Sequence, residues 1–93
     1  MRYEVRLIHQ AEKDLDDIKG KDFDLIKNKV IALSKNPRPF GSKKLINEEG
    51  YRIRAGIFRI LYRIDDLAKR VFTYRIKQRK DAYRWGTSHH KIA

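Results

Sequence analysis

The stretch YRIRAGIFRILYRI, residues 51–64, most constrains how this chain can fold, because arginines alternate with apolar residues along most of it. Successive side chains of a β-strand point to opposite faces, so the pattern predicts two strands joined near Ala55-Gly56. If the apolar residues face a core, the arginines must share the other face. A slip of one residue would bury them, so the strand register is strongly specified.

A third strand over Arg70–Lys77 extends the same sheet. The residues expected to face the core are Tyr51, Ile53, Ala55, Phe58, Ile60, Tyr62, Ile64, Phe72, Tyr74 and Ile76. The opposite face is then expected to hold Val71 and Thr73 together with six cations, Arg52, Arg54, Arg59, Arg63, Arg75 and Lys77. No acid is expected there to offset them, although opposed like charges destabilise a sheet by up to about 1 kcal/mol per pair.

The rest of the chain supplies a first strand and two helices. Alternation predicts a strand over Tyr3–Ile8, and helical spacing follows from His9 to a stop at Lys19-Gly20. A second helix is expected from near Asp22 to Asn36-Pro37, followed by a Pro- and Gly-rich loop. We therefore predict one α+β domain over residues 1–93, ordered β-α-α-β-β-β. Its twisted, mostly antiparallel sheet carries both helices on one side, and a short C-terminal helix or arm precedes a flexible tail over about 86–93.

Charge is the most informative part of the composition. Among 93 residues there are 23 Lys and Arg against 12 Asp and Glu, a formal net charge of +11 that predicts a polyanionic partner. The absence of cysteine excludes disulfides and thiolate sites. The sequence shows no secretory signal and no apolar run of membrane-spanning length, so the expected location is the cytoplasm.

Three interpretations of the arginine face compete. It is a solvated face whose long stems cover apolar surface, a docking surface for another protein, or a phosphate-binding surface. We favour phosphate binding, because the planar fork of arginine suits phosphate oxygens and stays charged at any working pH.

Several phrases of the chain resemble the RelE/ParE superfamily of bacterial and archaeal toxins. They are AEKDL at Ala11–Leu15, NPRPFGSKKL at Asn36–Leu45, YRIRAGIFRILYRID at Tyr51–Asp65 and RKDAYR at Arg79–Arg84. Together they span nearly the whole chain in the expected order. The resemblance implies a toxin of a type II toxin–antitoxin pair, held inactive by a cognate antitoxin. RelE-like members cleave mRNA on the ribosome and inhibit translation, whereas ParE-like members act on DNA gyrase by protein contact.

The residues that match the RelE-like site are implied by this resemblance to be catalytic: Arg52, Arg54, Arg59, Lys77, Arg79 and Tyr83. Arg52 and Arg54 stand where the best-known member has lysines, so they keep the charge but lose a side chain whose pKa is easily lowered. That change leaves phosphate stabilisation in place and removes lysine-based proton transfer at these two positions.

The chemistry expected at such a site is RNA cleavage without a metal or another cofactor, since the RNA 2′-hydroxyl is itself the nucleophile. Arginines stabilise the charged phosphorane, and Lys77 or Arg79 assists the leaving oxygen. Tyr83 is either a base acidified by surrounding cations or a stacking platform, and we favour stacking; its alternative role is to cap the core.

Further RNA contacts are expected from Arg63, Arg75, Lys43, Lys44, Lys80 and Trp85. Trp85 could equally seal the sheet edge. His89-His90 lack further ligands at useful spacing, so no metal site is predicted. The favoured function is a ribosome-dependent mRNA endoribonuclease. The alternatives are a ParE-like toxin that inhibits gyrase without cutting nucleic acid, and a plain nucleic-acid-binding module.

Overall fold

The computed structural model describes residues 2–78 as two helices on one side of a five-stranded sheet. The elements are β1 (Glu4–Leu7), α1 (His9–Asp16), α2 (Gly20–Ala32), β2 (Lys43–Lys44), β3 (Tyr51–Ala55), β4 (Phe58–Asp65) and β5 (Arg70–Gln78). The strand order is β1-β5-β4-β3-β2, with β1 parallel to β5 and every other pair antiparallel. This confirms the predicted α+β fold. The C-terminal arm and tail predicted beyond Gln78 lie outside the described residues.

Two boundaries differ from the sequence-based expectation. The second helix begins at Gly20, which was expected to stop the first one; its φ of 65° lets the chain reverse directly between the helices. The expected loop contains the two-residue edge strand Lys43–Lys44, paired with Arg52 and Tyr51. A strand of two residues has no alternation that could have indicated it.

The core lies between the helices and one face of the sheet. The helix side contributes Ala11, Ile26 and Leu33, all fully buried. The sheet contributes Ile53, Ala55, Phe58, Ile60, Tyr62, Val71, Thr73 and Ile76. Tyr62 is buried because its hydroxyl donates a hydrogen bond of 2.7 Å to the Pro37 carbonyl, which satisfies the one polar atom of this side chain.

A β-bulge corrects the predicted facing of β5. Tyr62 pairs with Thr73 and Leu61 pairs with Arg75, so Tyr74 is an extra residue between them. Upstream of the bulge, Val71 and Thr73 are buried in the core, so their predicted place on the arginine face was wrong. Phe72 was wrongly expected in the core.

Beyond the bulge, the residues of β5 again alternate between the two faces as predicted. Ile76 faces the core as predicted, opposite Ile60. Tyr74, wrongly expected in the core, lies on the same side as Arg63, whose guanidinium carbon is 5.5 Å from the centre of its ring. One inserted residue therefore moves two aromatic rings from the core side of the sheet to the other face, which we call the open face.

Replacing Thr73 by valine is expected to raise the free energy of unfolding by about 1 kcal/mol, because the Thr73 hydroxyl is buried with no hydrogen-bond partner among the described residues. Valine keeps the shape and removes the polar atom. Urea unfolding of the two proteins measures the difference. Thr73→Ser, which keeps the hydroxyl and loses a methyl group, is expected to lower stability instead; a less stable valine variant would contradict this account.

A network of hydrogen bonds and one ion pair stabilises the end of the sheet near the β4–β5 turn. Arg38 forms an ion pair of 2.9 Å with Asp66 and donates a hydrogen bond to the Tyr51 hydroxyl, while the Tyr3 hydroxyl also donates to Asp66. These contacts join the loop after α2, the residue before β1, the start of β3 and the β4–β5 turn. Hydrogen bonds from Arg38 and then Tyr3 lower the pKa of Asp66 from 3.8 to about 2. No helix in the described part of the chain is long and apolar enough to cross a membrane.

Candidate nucleic-acid interface

Three cations stand directly opposite one another across the open face. Arg54 of β3 pairs with Arg59 of β4, and Arg59 pairs with Lys77 of β5. We call these three residues the basic row. Adjacent strands lie about 4.8 Å apart, so nothing in the strand geometry separates these like charges. The predicted facing of the arginines is confirmed here.

A second row lies next to the first along the strands. In register, Lys43, Arg52, Leu61 and Arg75 follow one another across four strands. Leu61 places an apolar side chain between two arginines, so the face combines charge with an apolar surface.

Ion pairing distinguishes the basic row from four other arginines of the described chain. Among residues 2–78 there are four ion pairs, made by Arg6, Arg38, Arg70 and Arg75 with acidic partners. Within that range, no acidic residue pairs with Arg52, Arg54, Arg59, Arg63 or Lys77. The sheet therefore holds a group of like charges whose repulsion is unrelieved by its own carboxylates, which is the arrangement expected where a polyanion binds.

Arg59 occupies the centre of this arrangement. Its side chain is partly buried, and its Nε atom is fully buried without a hydrogen-bond partner among the described residues. A buried donor left without a partner costs about 1–3 kcal/mol. An anionic oxygen arriving on the open face would relieve the repulsion within the basic row.

Arg75 differs from its neighbours, which corrects the expectation that no acid offsets these cations. Its Nε donates to Asp14 of α1 at 2.9 Å, and the same carboxylate accepts the Ile76 backbone N–H at 2.8 Å. Asp14 thus occupies the edge of β5 beyond Thr73, where pairing with β1 ends. Burial alone would raise the pKa of Asp14, but hydrogen bonds from Arg75, Ile76 and Gln10 outweigh it and keep the pKa below its ordinary value.

The two lysines of β2 point to opposite sides of the sheet. Lys43 pairs with Arg52 and shares the open face with it, whereas Lys44 pairs with Tyr51 and shares the side on which the helices lie. Lys44 therefore does not join the open face, and its contact with RNA stays a prediction. The reason is strand alternation, which separates adjacent residues.

The sequence interpretation missed an aromatic group on the open face. Phe72 pairs with Arg63 across the strands, and the Tyr74 ring lies under the Arg63 guanidinium. Partial burial, followed by the nearby charge of Glu48, raises the pKa of Tyr74, so its phenol stays neutral and is a poor base at working pH. Nothing in the sequence pattern indicates this group, because its exposure depends on the bulge.

The remaining predicted site residues, Arg79, Lys80, Tyr83 and Trp85, lie outside the described residues. Within residues 2–78, no group of three or more His, Cys, Asp or Glu side chains is arranged to hold a metal ion. His9, the one histidine of that range, begins α1. The described part of the open face thus offers cations and aromatic rings, a set suited to binding and stabilising phosphates.

The fold is similar to that of several toxins in solved structures. The toxin–antitoxin complex RelBE2 from Mycobacterium tuberculosis matches with 29% identity and a TM-score of 0.76, over 85% of this chain and 100% of that chain. The archaeal RelE–RelB complex from Pyrococcus horikoshii matches with 21% identity and a TM-score of 0.72, over 85% and 97%. The isolated RelE toxin of E. coli has 17% identity and a TM-score of 0.74, over 98% and 99%. The last two likenesses support the fold alone.

Comparison of sequences leads to the same group of proteins. A search of curated proteins finds no significant match. The model of the ParE toxin family of type II toxin–antitoxin systems, parDE, matches residues 5–83. This range contains every strand of the sheet except the first residue of β1. The chain therefore belongs to the ParE toxin family of type II toxin–antitoxin systems, within the RelE/ParE superfamily that its sequence resembles.

Proposed function

We propose that this toxin is a metal-independent endoribonuclease that cleaves mRNA on the ribosome. The observation that carries the proposal is the basic row, in which Arg54, Arg59 and Lys77 oppose one another without an acidic partner among the described residues. A surface used only for solubility gains nothing from directly opposed like charges, because dispersed cations keep a protein soluble without this repulsion.

The proposed reaction uses the RNA itself as the nucleophile. The 2′-oxygen attacks the adjacent phosphorus, the bond from phosphorus to the 5′-oxygen breaks, and a 2′,3′-cyclic phosphate remains. Arg52, Arg54 and Arg59 stabilise the charge that develops on the phosphorane, a contribution of about 3–4 kcal/mol for each well-placed donor. Lys77 donates the proton that the leaving 5′-oxygen requires, or Arg79 stabilises the charge on that oxygen until water protonates it.

Removal of the 2′ proton is the step that the described residues serve least. Arginine is a poor base, and Tyr83 is the residue that the superfamily resemblance offers for this position. General acid–base assistance contributes about 10²–10⁴ in rate, so an enzyme without it is slow by itself. A ribosome that holds the messenger in a geometry ready for attack would supply the missing factor through orientation. Basic groups such as Lys43 and Lys80 would add contacts with ribosomal RNA.

The proposed partner of the free toxin is a cognate antitoxin protein, acidic or amphipathic. The related structure from M. tuberculosis is a toxin–antitoxin complex, and that from P. horikoshii is a complex of RelE with RelB. A negatively charged segment laid on the open face would neutralise the basic row and exclude RNA from it. The antitoxin could also displace the C-terminal segment that carries Tyr83.

A translation reaction with a labelled messenger tests the proposed function. We expect cuts that require ribosomes and leave 2′,3′-cyclic phosphate or 3′-phosphate ends. The second candidate function, gyrase inhibition without cleavage, is favoured by the ParE description of the matched family. Loss of supercoiling by purified gyrase together with an intact messenger would support that candidate and contradict ours.

The role of Tyr83 is tested by two substitutions. If its ring stacks on a nucleobase, Tyr83→Phe is expected to retain most of the cleavage rate, whereas Tyr83→Ala loses about 10-fold or more, as loss of base stacking implies. Cleavage rates in the same translation reaction give the comparison. Equal losses in the two variants would instead assign the phenol hydroxyl to proton transfer.

A further inference from the structure

Arg63 and Tyr74 form a pair on the open face that the proposed cleavage chemistry does not use. The Arg63 guanidinium carbon lies 5.5 Å from the centre of the Tyr74 ring, within the range of a cation–π contact. Arg63 is exposed, whereas Tyr74 is partly buried. The ring therefore supports the guanidinium from below and leaves its outer side toward solvent.

The position of the Tyr74 ring is fixed by the neighbouring backbone. A Cβ atom placed on Gly50 would come within 2.8 Å of the Tyr62 carbonyl oxygen and 3.3 Å of both Arg63 Cγ and the Tyr74 hydroxyl. The segment before β3 thus packs closely against the Arg63–Tyr74 pair. Position 50 requires a glycine because a side chain would collide there, and because other residues rarely adopt its φ of 122°. The side chain of Arg63, which can adopt many rotamers, is therefore ordered before any ligand arrives.

The pair lies on the same face and the same strand as the centre of the basic row. Arg63 follows Arg59 by four residues along β4, so their backbones are about 13 Å apart. Leu61 lies between them, paired with Arg52 on one side and Arg75 on the other. A single-stranded nucleic acid crossing the basic row along β4 therefore reaches Arg63 without leaving the sheet.

Building on the proposed function, we propose that the Arg63–Tyr74 pair is a base-stacking subsite for single-stranded RNA, separate from the cleavage centre. The guanidinium plane of Arg63 stacks on one unpaired base, and Tyr74 is the positioning residue that holds this guanidinium over its ring. Unstacked RNA bases commonly bind to aromatic rings and to arginine planes on β-sheet surfaces. The subsite selects single strands, because bases within a duplex cannot be reached in this way.

Two features favour RNA over an acidic protein segment at this position. A carboxylate would pair with the edge of the guanidinium and would not require the plane to lie on a ring. The aromatic residues Phe72 and Tyr74 are also turned toward this face by the bulge, which adds stacking surface where an acidic peptide needs only charge.

Binding of an oligoribonucleotide that carries 2-aminopurine at one position at a time tests the subsite. The fluorescence of this base falls when it stacks. With the full chain we expect strong quenching at one position that depends on Arg63, besides any position quenched by stacking on Tyr83. Arg63→Gln is expected to abolish the quenching and weaken binding about tenfold. Arg63→Lys keeps the charge but lacks the plane, so it should retain most of the affinity and lose the quenching.

Variants of Tyr74 separate positioning from simple structural support. Tyr74→Phe keeps the ring and should preserve the quenching, whereas Tyr74→Leu should reduce it even when the variant unfolds at the same urea concentration as the parent chain. Lys69→Gln is the control, since Lys69 makes its own cation–π contact with Tyr3, 5.2 Å from the ring centre, outside the Arg63–Tyr74 pair. It should leave the quenching unchanged.

The outcomes distinguish this subsite from the proposed function. Unchanged quenching in Arg63→Gln, or equal quenching in the parent chain and Arg63→Lys, would overturn the subsite even if the toxin cleaves mRNA. Position-specific quenching that depends on Arg63 and Tyr74 would support it even if the translation reaction shows no cuts. In that case only the nuclease proposal would fail.

Discussion

Replacing Arg59 by glutamine is expected to lower ribosome-dependent cleavage of mRNA by about 10²–10³-fold, the usual effect of removing one preorganised donor from a developing anion. Arg59 is the central member of the basic row, and its Nε is buried without a partner among the described residues. The free energy of unfolding should not fall with the activity, because the substitution removes a charge that is repelled by Arg54 and Lys77.

The control for this experiment is Arg6→Gln. Arg6 lies on the open face opposite Phe72, but it forms an ion pair of 2.9 Å with Glu4. Removing it takes away one arginine from the same sheet without touching the basic row, so cleavage should stay close to that of the parent chain. If both variants lose activity equally, the basic row is not the reactive centre that we propose. If Arg59→Gln unfolds more easily in urea, Arg59 is not destabilised by repulsion from Arg54 and Lys77.

Replacing Asp14 by alanine is expected to lower the free energy of unfolding by about 2–3 kcal/mol near neutral pH, since hydrogen bonds to a charged group contribute about 1.5–3 kcal/mol. The carboxylate accepts hydrogen bonds from Arg75 and from the Ile76 backbone N–H, and its side chain is only 12% exposed. The alanine variant leaves the Ile76 N–H without its acceptor at the edge of β5.

The effect of Asp14 should disappear in acid. Its pKa is lower in the folded chain than its ordinary value of 3.8, although burial opposes the shift, because the hydrogen bonds it accepts favour the charged form. A lowered pKa adds stability that is complete above about pH 5 and is lost as the pH falls through the folded pKa. The difference in unfolding free energy between the parent chain and Asp14→Ala should therefore shrink below about pH 4.

Urea unfolding of both proteins from pH 7 downward provides the measurement. Taking the difference between the two proteins removes the contributions of other carboxylates, including Asp66 with its pKa of about 2. Asp14→Asn serves as the matched control, since it keeps an oxygen that can accept the Ile76 N–H but carries no charge. A stability difference that stays constant down to strong acid would contradict the role assigned to the Asp14 carboxylate.

The sequence was sufficient to predict the arginine face because two strands share one short hairpin. Arg52, Arg54, Arg59 and Arg63 alternate with residues that face the core, and the hairpin joining β3 to β4 allows one register that buries the apolar set. Arg75 and Lys77 also lie on the predicted face of the sheet, because they follow the bulge and the alternation of faces after it is the one predicted.

The failures have a different physical origin, since each depends on contacts that are distant in sequence. Phe72 and Tyr74 look like core residues, and Val71 and Thr73 replace them only because one residue of β5 bulges out of register. The ion pair of Arg75 joins residues 61 positions apart, and periodicity carries no information about it. Composition and alternation determine which residues share a strand face, but they do not show where a strand is interrupted or what meets its edge.

The dependence of RNA binding on salt shows whether the unpaired cations of the basic row hold RNA phosphates. Each phosphate contact to a single strand contributes about 0.7 to the slope of log K against log salt. We therefore expect the slope to fall by about 2 when Arg54, Arg59 and Lys77 are all changed to glutamine. Changing three exposed lysines away from the open face, Lys13, Lys21 and Lys35, should leave the slope nearly unchanged. Equal decreases in the two triple variants, or no decrease in the first, would contradict the account.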